Sequence, residues 1–207
     1  MKRVVKISLF VAMMMVAIVS CSKDDSGDSD LVSDAFNGTI KAQVENGNAY
    51  NAQFVSVVAV HAPYVANGEL KGEYVAEGVY SKGGFTITLP STIPDSKLTA
   101  ITEFFKSTLK VTGSLKYSVT SAKVYDTDFI PFDDDDDPLA ANFLYTSDDE
   151  SVVCFFVYVN KDVIVTGGKN ITVSLEKGWT RLYYSEAGKG FVTTEAPGRM
   201  KWIVEKW

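Results

Sequence analysis

A chain of 207 residues with 20 Lys and Arg against 26 Asp and Glu carries a formal charge of −6, a balance that excludes nucleic-acid binding, where clustered cations must displace counterions from phosphates. With 46% apolar and 12% aromatic residues the chain can build a hydrophobic core and is not compositionally disordered. Its length suits one domain behind a processed leader.

At the N-terminus Lys2, Arg3 and Lys6 precede an apolar stretch, Ile7 to Val19, interrupted only by Ser8. This is the layout of a secretory signal, and it falls short of the roughly 20 apolar residues of a membrane-spanning helix. Ile18-Val19-Ser20-Cys21 resembles a bacterial lipobox, which implies that residues 1–20 are a lipoprotein signal peptide and that Cys21 is lipidated. The competing reading is an ordinary secretory signal with an incidental cysteine. Ser22-Lys23-Asp24-Asp25 resembles the short acidic export signal of Bacteroidetes surface lipoproteins, which implies anchoring in the outer membrane with display on its outer face. Residues 21–34 then form a flexible acidic tether. Cys154 is the only other cysteine, so with Cys21 modified no internal disulfide is available.

From residue 35 onward strand patterns dominate. Phe36, Gly38, Ile40, Ala42 and Val44 alternate with polar residues, as do Phe85 to Leu89, Leu109 to Val119 and Ile171 to Leu175; alternation puts one face in a core and one in water. Phe54 to Val60 and Val152 to Val159 are apolar on both faces and read as central strands. Turn residues separate these runs, among them Asn46-Gly47-Asn48, Asn67-Gly68, Lys82-Gly83-Gly84 and Lys177-Gly178. One short helix near 95–106 is expected, capped by Asp95, with Leu98, Ile101 and Phe105 on one stripe. The pattern predicts an all-β domain over 35–207, an antiparallel β-sandwich. The stretch Gly84 to Pro90 resembles a strand of transthyretin-like sandwich domains, which implies a transthyretin-like or immunoglobulin-like arrangement. Segments between Val153 and Tyr184 resemble surface lipoproteins of Bacteroidetes that carry no assigned activity.

The chemistry-bearing residues are few. His61 is the sole histidine, which disfavours a catalytic triad or a multi-histidine zinc site; at the end of an apolar run it reads as a loop-edge residue without a role. Cys154, flanked by Val153 and Phe155, reads as a small buried hydrophobe. Asp133, Asp134, Asp135, Asp136 and Asp137 are a weak Ca²⁺ candidate, since hard oxygens suit that ion. The EF-hand pattern fails, because the sixth position from Asp133 is Pro138 and the twelfth is Leu144, and a solvated acidic loop is the plainer expectation. Trp179, Tyr183 and Tyr145 are the candidate ligand platform, as aromatic rings give large contact area with a polar handle. Trp202, sharing a strand face with Met200 and Val204, reads as core.

These features together predict a lipid-anchored binding or accessory module of the cell surface, non-catalytic and without a cofactor, whose ligand is a glycan or a partner protein. The alternatives are a structural subunit of a surface assembly, joined through an open strand edge, and a small carboxylate-based hydrolase.

Overall fold

The computed structural model describes residues 36–66, 69–111, 113–167, 171–185 and 191–206, so the leader, Cys21 and the tether lie outside the described residues. The strands are β1 (Thr39–Gln43), β2 (Ser56–Ala66), β3 (Glu69–Ser81), β4 (Gly84–Thr88), β5 (Thr99–Ala100), β6 (Leu115–Tyr117) and β7 (Lys123–Phe132). They continue as β8 (Ala141–Ser147), β9 (Val153–Val159), β10 (Val163–Gly167), β11 (Ile171–Leu175), β12 (Gly178–Ser185), β13 (Phe191–Thr193) and β14 (Met200–Lys206). Among the described residues they form one sheet in the order β1-β4-β3-β2-β7-β8-β9-β12-β13-β11-β10-β6, with β14 added to β8 and β5 to β7. Strand pairing is antiparallel except between β11 and β13. The protein is therefore all-β and sandwich-like, as the alternation predicts.

The sheet folds over itself because β9 and β12 are apolar on both faces. On one side Cys154, Phe156, Tyr158, Trp179 and Tyr183 meet Ile40, Val57, Ala59, Phe85, Phe129, Phe143 and Trp202 in an aromatic core. Edge-on contacts such as Phe129–Phe156, with ring centres 5.3 Å apart, and Phe85–Trp202, 5.1 Å apart, hold the layers together; such pairs add about 0.5–1.5 kcal/mol each beyond area burial. On the other side Val157, Val159 and Leu182 meet Val163, Val165, Ile171, Val173 and Leu175 in an aliphatic core. A third small cluster, Val58, Val60, Ile130 and Phe132, backs β2 and β7. Gly47 permits one tight approach at this end of the fold: a Cβ there would lie 2.0 Å from the Gly83 carbonyl oxygen.

Two expectations shift. The helical segment runs Ile101–Glu103 in α geometry and Phe104–Thr108 in π geometry, later than 95–106. Asp95 caps nothing: it starts a separate 3₁₀ turn, Asp95–Lys97, where its carboxylate accepts a hydrogen bond from Asn160 Nδ2 at 3.2 Å. Leu98 is extended and joins the aromatic core, whereas Ile101 and Phe105 join the aliphatic one. Two cores pulling on one segment override its helical period. The strand expected over Leu109 to Val119 is reduced to Leu115–Tyr117. Leu109 instead closes the helical segment, donating its N–H to the Phe104 carbonyl at 3.1 Å, and Lys110 turns the chain with φ 50°.

Candidate functional site

Trp179 and Tyr183 do not form a surface platform. They are 7% and 3% exposed, and Tyr145 is half-buried with its ring stacked on Trp202 at 5.0 Å. The turn before Trp179 misleads, because Gly178 already pairs with Val159 and opens β12. Alternation then points both Trp179 and Tyr183 into the aromatic core. Trp179 Nε1 donates to the Pro90 carbonyl at 2.7 Å, so its polar handle straps the 89–98 loop to the core and is unavailable to a ligand.

The five aspartates make the turn between β7 and β8. Asp133 is spent on it: its Oδ1 accepts the backbone N–H groups of Asp135 at 3.1 Å and Asp137 at 3.0 Å. Asp134, Asp135, Asp136 and Asp137 are exposed. Among the described residues no group of three or more His, Cys, Asp or Glu side chains converges to hold a metal ion. Cys154 is buried, and burial pushes its thiol pKa far up, which makes it a poor nucleophile.

The structure brings other residues forward. Strand β2 pairs with β7 only from Ser56 to Val60, and β3 pairs with β4 only from Val79 to Ser81. Beyond those points, from His61 to Ala66 and from Glu69 to Glu73, the two strands are laddered to each other alone among the described residues. They form a two-stranded arm with open backbone edges. Tyr64, Val65 and Tyr74 are 61%, 58% and 56% exposed. The register sets Tyr64 opposite Lys71 and Tyr74 opposite Val60, so the arm offers apolar side chains from both faces rather than a single flat ring platform. Tyr74 also packs edge-on against Phe132, 5.8 Å between ring centres.

At the root of the arm His61 is inside β2, not at a loop edge. Its Nδ1 lies 2.8 Å from the Asp126 carbonyl oxygen and 3.1 Å from Asp126 Oδ1. Both oxygens are acceptors only, so Nδ1 carries the proton and donates. The ring stacks on Tyr125 at 3.9 Å. Cross-strand from His61, Glu73 forms an ion pair with Lys97. The buried Tyr125 hydroxyl has Glu73 as its electrostatic neighbour but no partner in hydrogen-bonding geometry. Burial drives the Tyr125 pKa upward, and the Glu73 charge adds to it.

No family model, curated protein or solved structure matches the chain. Function must therefore be argued from this geometry.

On the same face of β7 as Asp126, two residues on, Asp128 is pushed up to about 6. Burial is the main cause, and the charge of Asp126 adds to it. Asn142 and His61 pull the other way. Asn142 can donate because its Oδ1 is occupied by the Phe129 N–H at 3.3 Å. For His61 burial acts to lower the pKa, yet the hydrogen bonds and charge of Asp126, with the charge of Glu73, leave it raised. The two carboxylates and the imidazole thus form a polar seam between the aliphatic cluster around Val124 and the small cluster at Ile130 and Phe132. Sequence reading missed the arm because Pro63 breaks the alternation between His61 and Tyr64; the Asn67-Gly68 turn between two β-prone runs was the signal that could have found it.

Proposed function

We propose that the protein is a lipid-anchored, surface-displayed binding module that meets a partner protein through the β2–β3 arm, without catalysis. The observation that carries this reading is the arm itself: two strands leave the sheet and expose Tyr64, Val65 and Tyr74 beside unpaired backbone edges. Surface patches of large apolar residues mark interaction sites, and open strand edges accept an extended partner strand. A glycan finds less here, because the aromatic rings suited to stacking on a sugar, Trp179 and Tyr183, are buried. Anchoring rests on the Ile18-Val19-Ser20-Cys21 segment and display on the acidic residues after it.

A photo-crosslinking amino acid at position 64 or 74 of the full-length protein in intact cells tests the reading. Discrete protein adducts are expected from both positions and none from position 164, where Ile164 is 49% exposed on β10. Adducts forming equally from all three positions, or from none, contradict it. For the anchor, mass spectrometry of the mature N-terminus is expected to find acylated Cys21; an unmodified Cys21 or a cut elsewhere contradicts that part.

A further inference from the structure

The root of the arm carries two bonds at one register position. His61 and Glu73 face each other across β2 and β3. His61 holds Asp126 of β7, and Glu73 holds Lys97 of the 3₁₀ turn. Immediately outward on each strand the backbone departs from regular strand geometry: Ala62 has φ 47° and Gly72 has φ 149°. Ala62 is a side-chain-bearing residue in the left-handed region, a conformation costing about 1 kcal/mol or more that surrounding structure must hold in place. Gly72 fits closely over the root, since a Cβ there would lie 2.6 Å from Val60 Cγ1. The irregular positions thus sit next to the two bonds and define a boundary between sheet and arm.

We propose that the His61–Glu73 pair is a clasp that sets the position of the arm, and that titration of His61 against Asp126 tightens the clasp in acid and loosens it in alkali. The groups around the imidazole are Tyr125, Asp126 and Asp128 of β7 and Glu73 of β3, with Lys97 reaching it through Glu73. Three carboxylates against one relayed cation favour the imidazolium, in line with the direction in which its pKa moves. When Nε2 loses its proton, Nδ1 still donates to Asp126, but the charge that strengthened the bond is gone. The clasp weakens without disappearing. Because the clasped state holds the proton more tightly than the open one, its extra stability is present at low pH and fades as pH rises through the clasped-state value. The consequence for partner binding rests on the reading of the arm given above, whereas the clasp can be measured without a partner.

Amide hydrogen exchange of the full-length protein alone, at pH 5.5 and 8.0 and corrected for the intrinsic pH dependence of exchange, reads the clasp directly. Opening of residues 62–66 and 69–73 is expected to rise about three- to tenfold at pH 8.0, with β11 unchanged as the internal control. His61→Gln keeps a donor but cannot titrate, and is expected to abolish the difference; Asp126→Asn, which keeps the ring and removes the charge, is expected to do the same and serves if His61→Gln does not fold. Asp128→Asn is expected to retain it. A wild-type arm with no pH difference overturns the proposal, and so does a difference that survives His61→Gln or Asp126→Asn or is lost in Asp128→Asn. Loss of crosslinking with these exchange results intact would instead count against the arm as the binding element.

Discussion

Strand β2 is two different objects along its length. Ser56 to Val60 are all buried, with Val57 and Ala59 in the aromatic core and Val58 and Val60 in the small cluster behind it. From His61 to Ala66 no residue is buried. The change falls where β7 stops pairing with β2, at Val60 and Asp128, and His61 marks it by bonding the Asp126 carbonyl with its ring in place of a further backbone rung. The lesson is that one strand can be a stave of the core and a presented arm, the division being set by its neighbours rather than by its own composition.

The largest expected effect breaks the core half. Trp202 is buried against Phe85, Phe129, Tyr145 and Phe156, and Trp202→Ala should destabilise the protein by about 3–5 kcal/mol. Chemical denaturation reads this as a lower midpoint. A loss under about 1 kcal/mol would mean that the layers are not held by this cluster.

Next in size is the seam between the two halves. Asp128 titrates in the folded state near 6, against 3.8 ordinarily. A raised folded value means that the protonated form is favoured by folding, so its contribution is complete below about pH 4 and is lost as pH rises through 6. Asp128→Asn should therefore stabilise the protein at pH 8, by up to roughly 3 kcal/mol, and change little at pH 4. Denaturation midpoints at both pH values check it; a variant less stable at pH 8 would contradict the assignment of burial as the dominant cause.

Smaller still is the turn beyond β7. Changing Asp134, Asp135, Asp136 and Asp137 to Asn, while keeping Asp133 for its two backbone bonds, removes mutual repulsion and should leave stability level or slightly raised, within about 0.5 kcal/mol. Melting with Ca²⁺ and with chelator at matched ionic strength should superimpose. A Ca²⁺-specific rise in the wild type that these changes abolish would restore the turn as a metal site.

Much of the core half was legible in the sequence. Four successive apolar residues at Val57 to Val60 announce burial on both faces, and the alternation of Ile171, Val173 and Leu175 matches β11 residue for residue. Local period failed where distant contacts decide. Trp179 looked open beside Gly178, and only its pairing with Tyr158 on β9 turns it inward. Leu109 and Val111 alternate like a strand, yet the aliphatic core takes Leu109 at the end of a helical segment. His61 and Asp126 are far apart in the chain, and neither carries a local sign of the other.

The most direct test places a photo-crosslinker at Val65 in the full-length protein on intact cells and compares the otherwise wild-type background with the double change Tyr64→Ala, Tyr74→Ala. Since both tyrosines are exposed, the double change should shift stability by less than about 1 kcal/mol while adducts at position 65 fall several-fold. Adducts undiminished in a folded double variant would contradict the account of the arm as the surface that meets the partner.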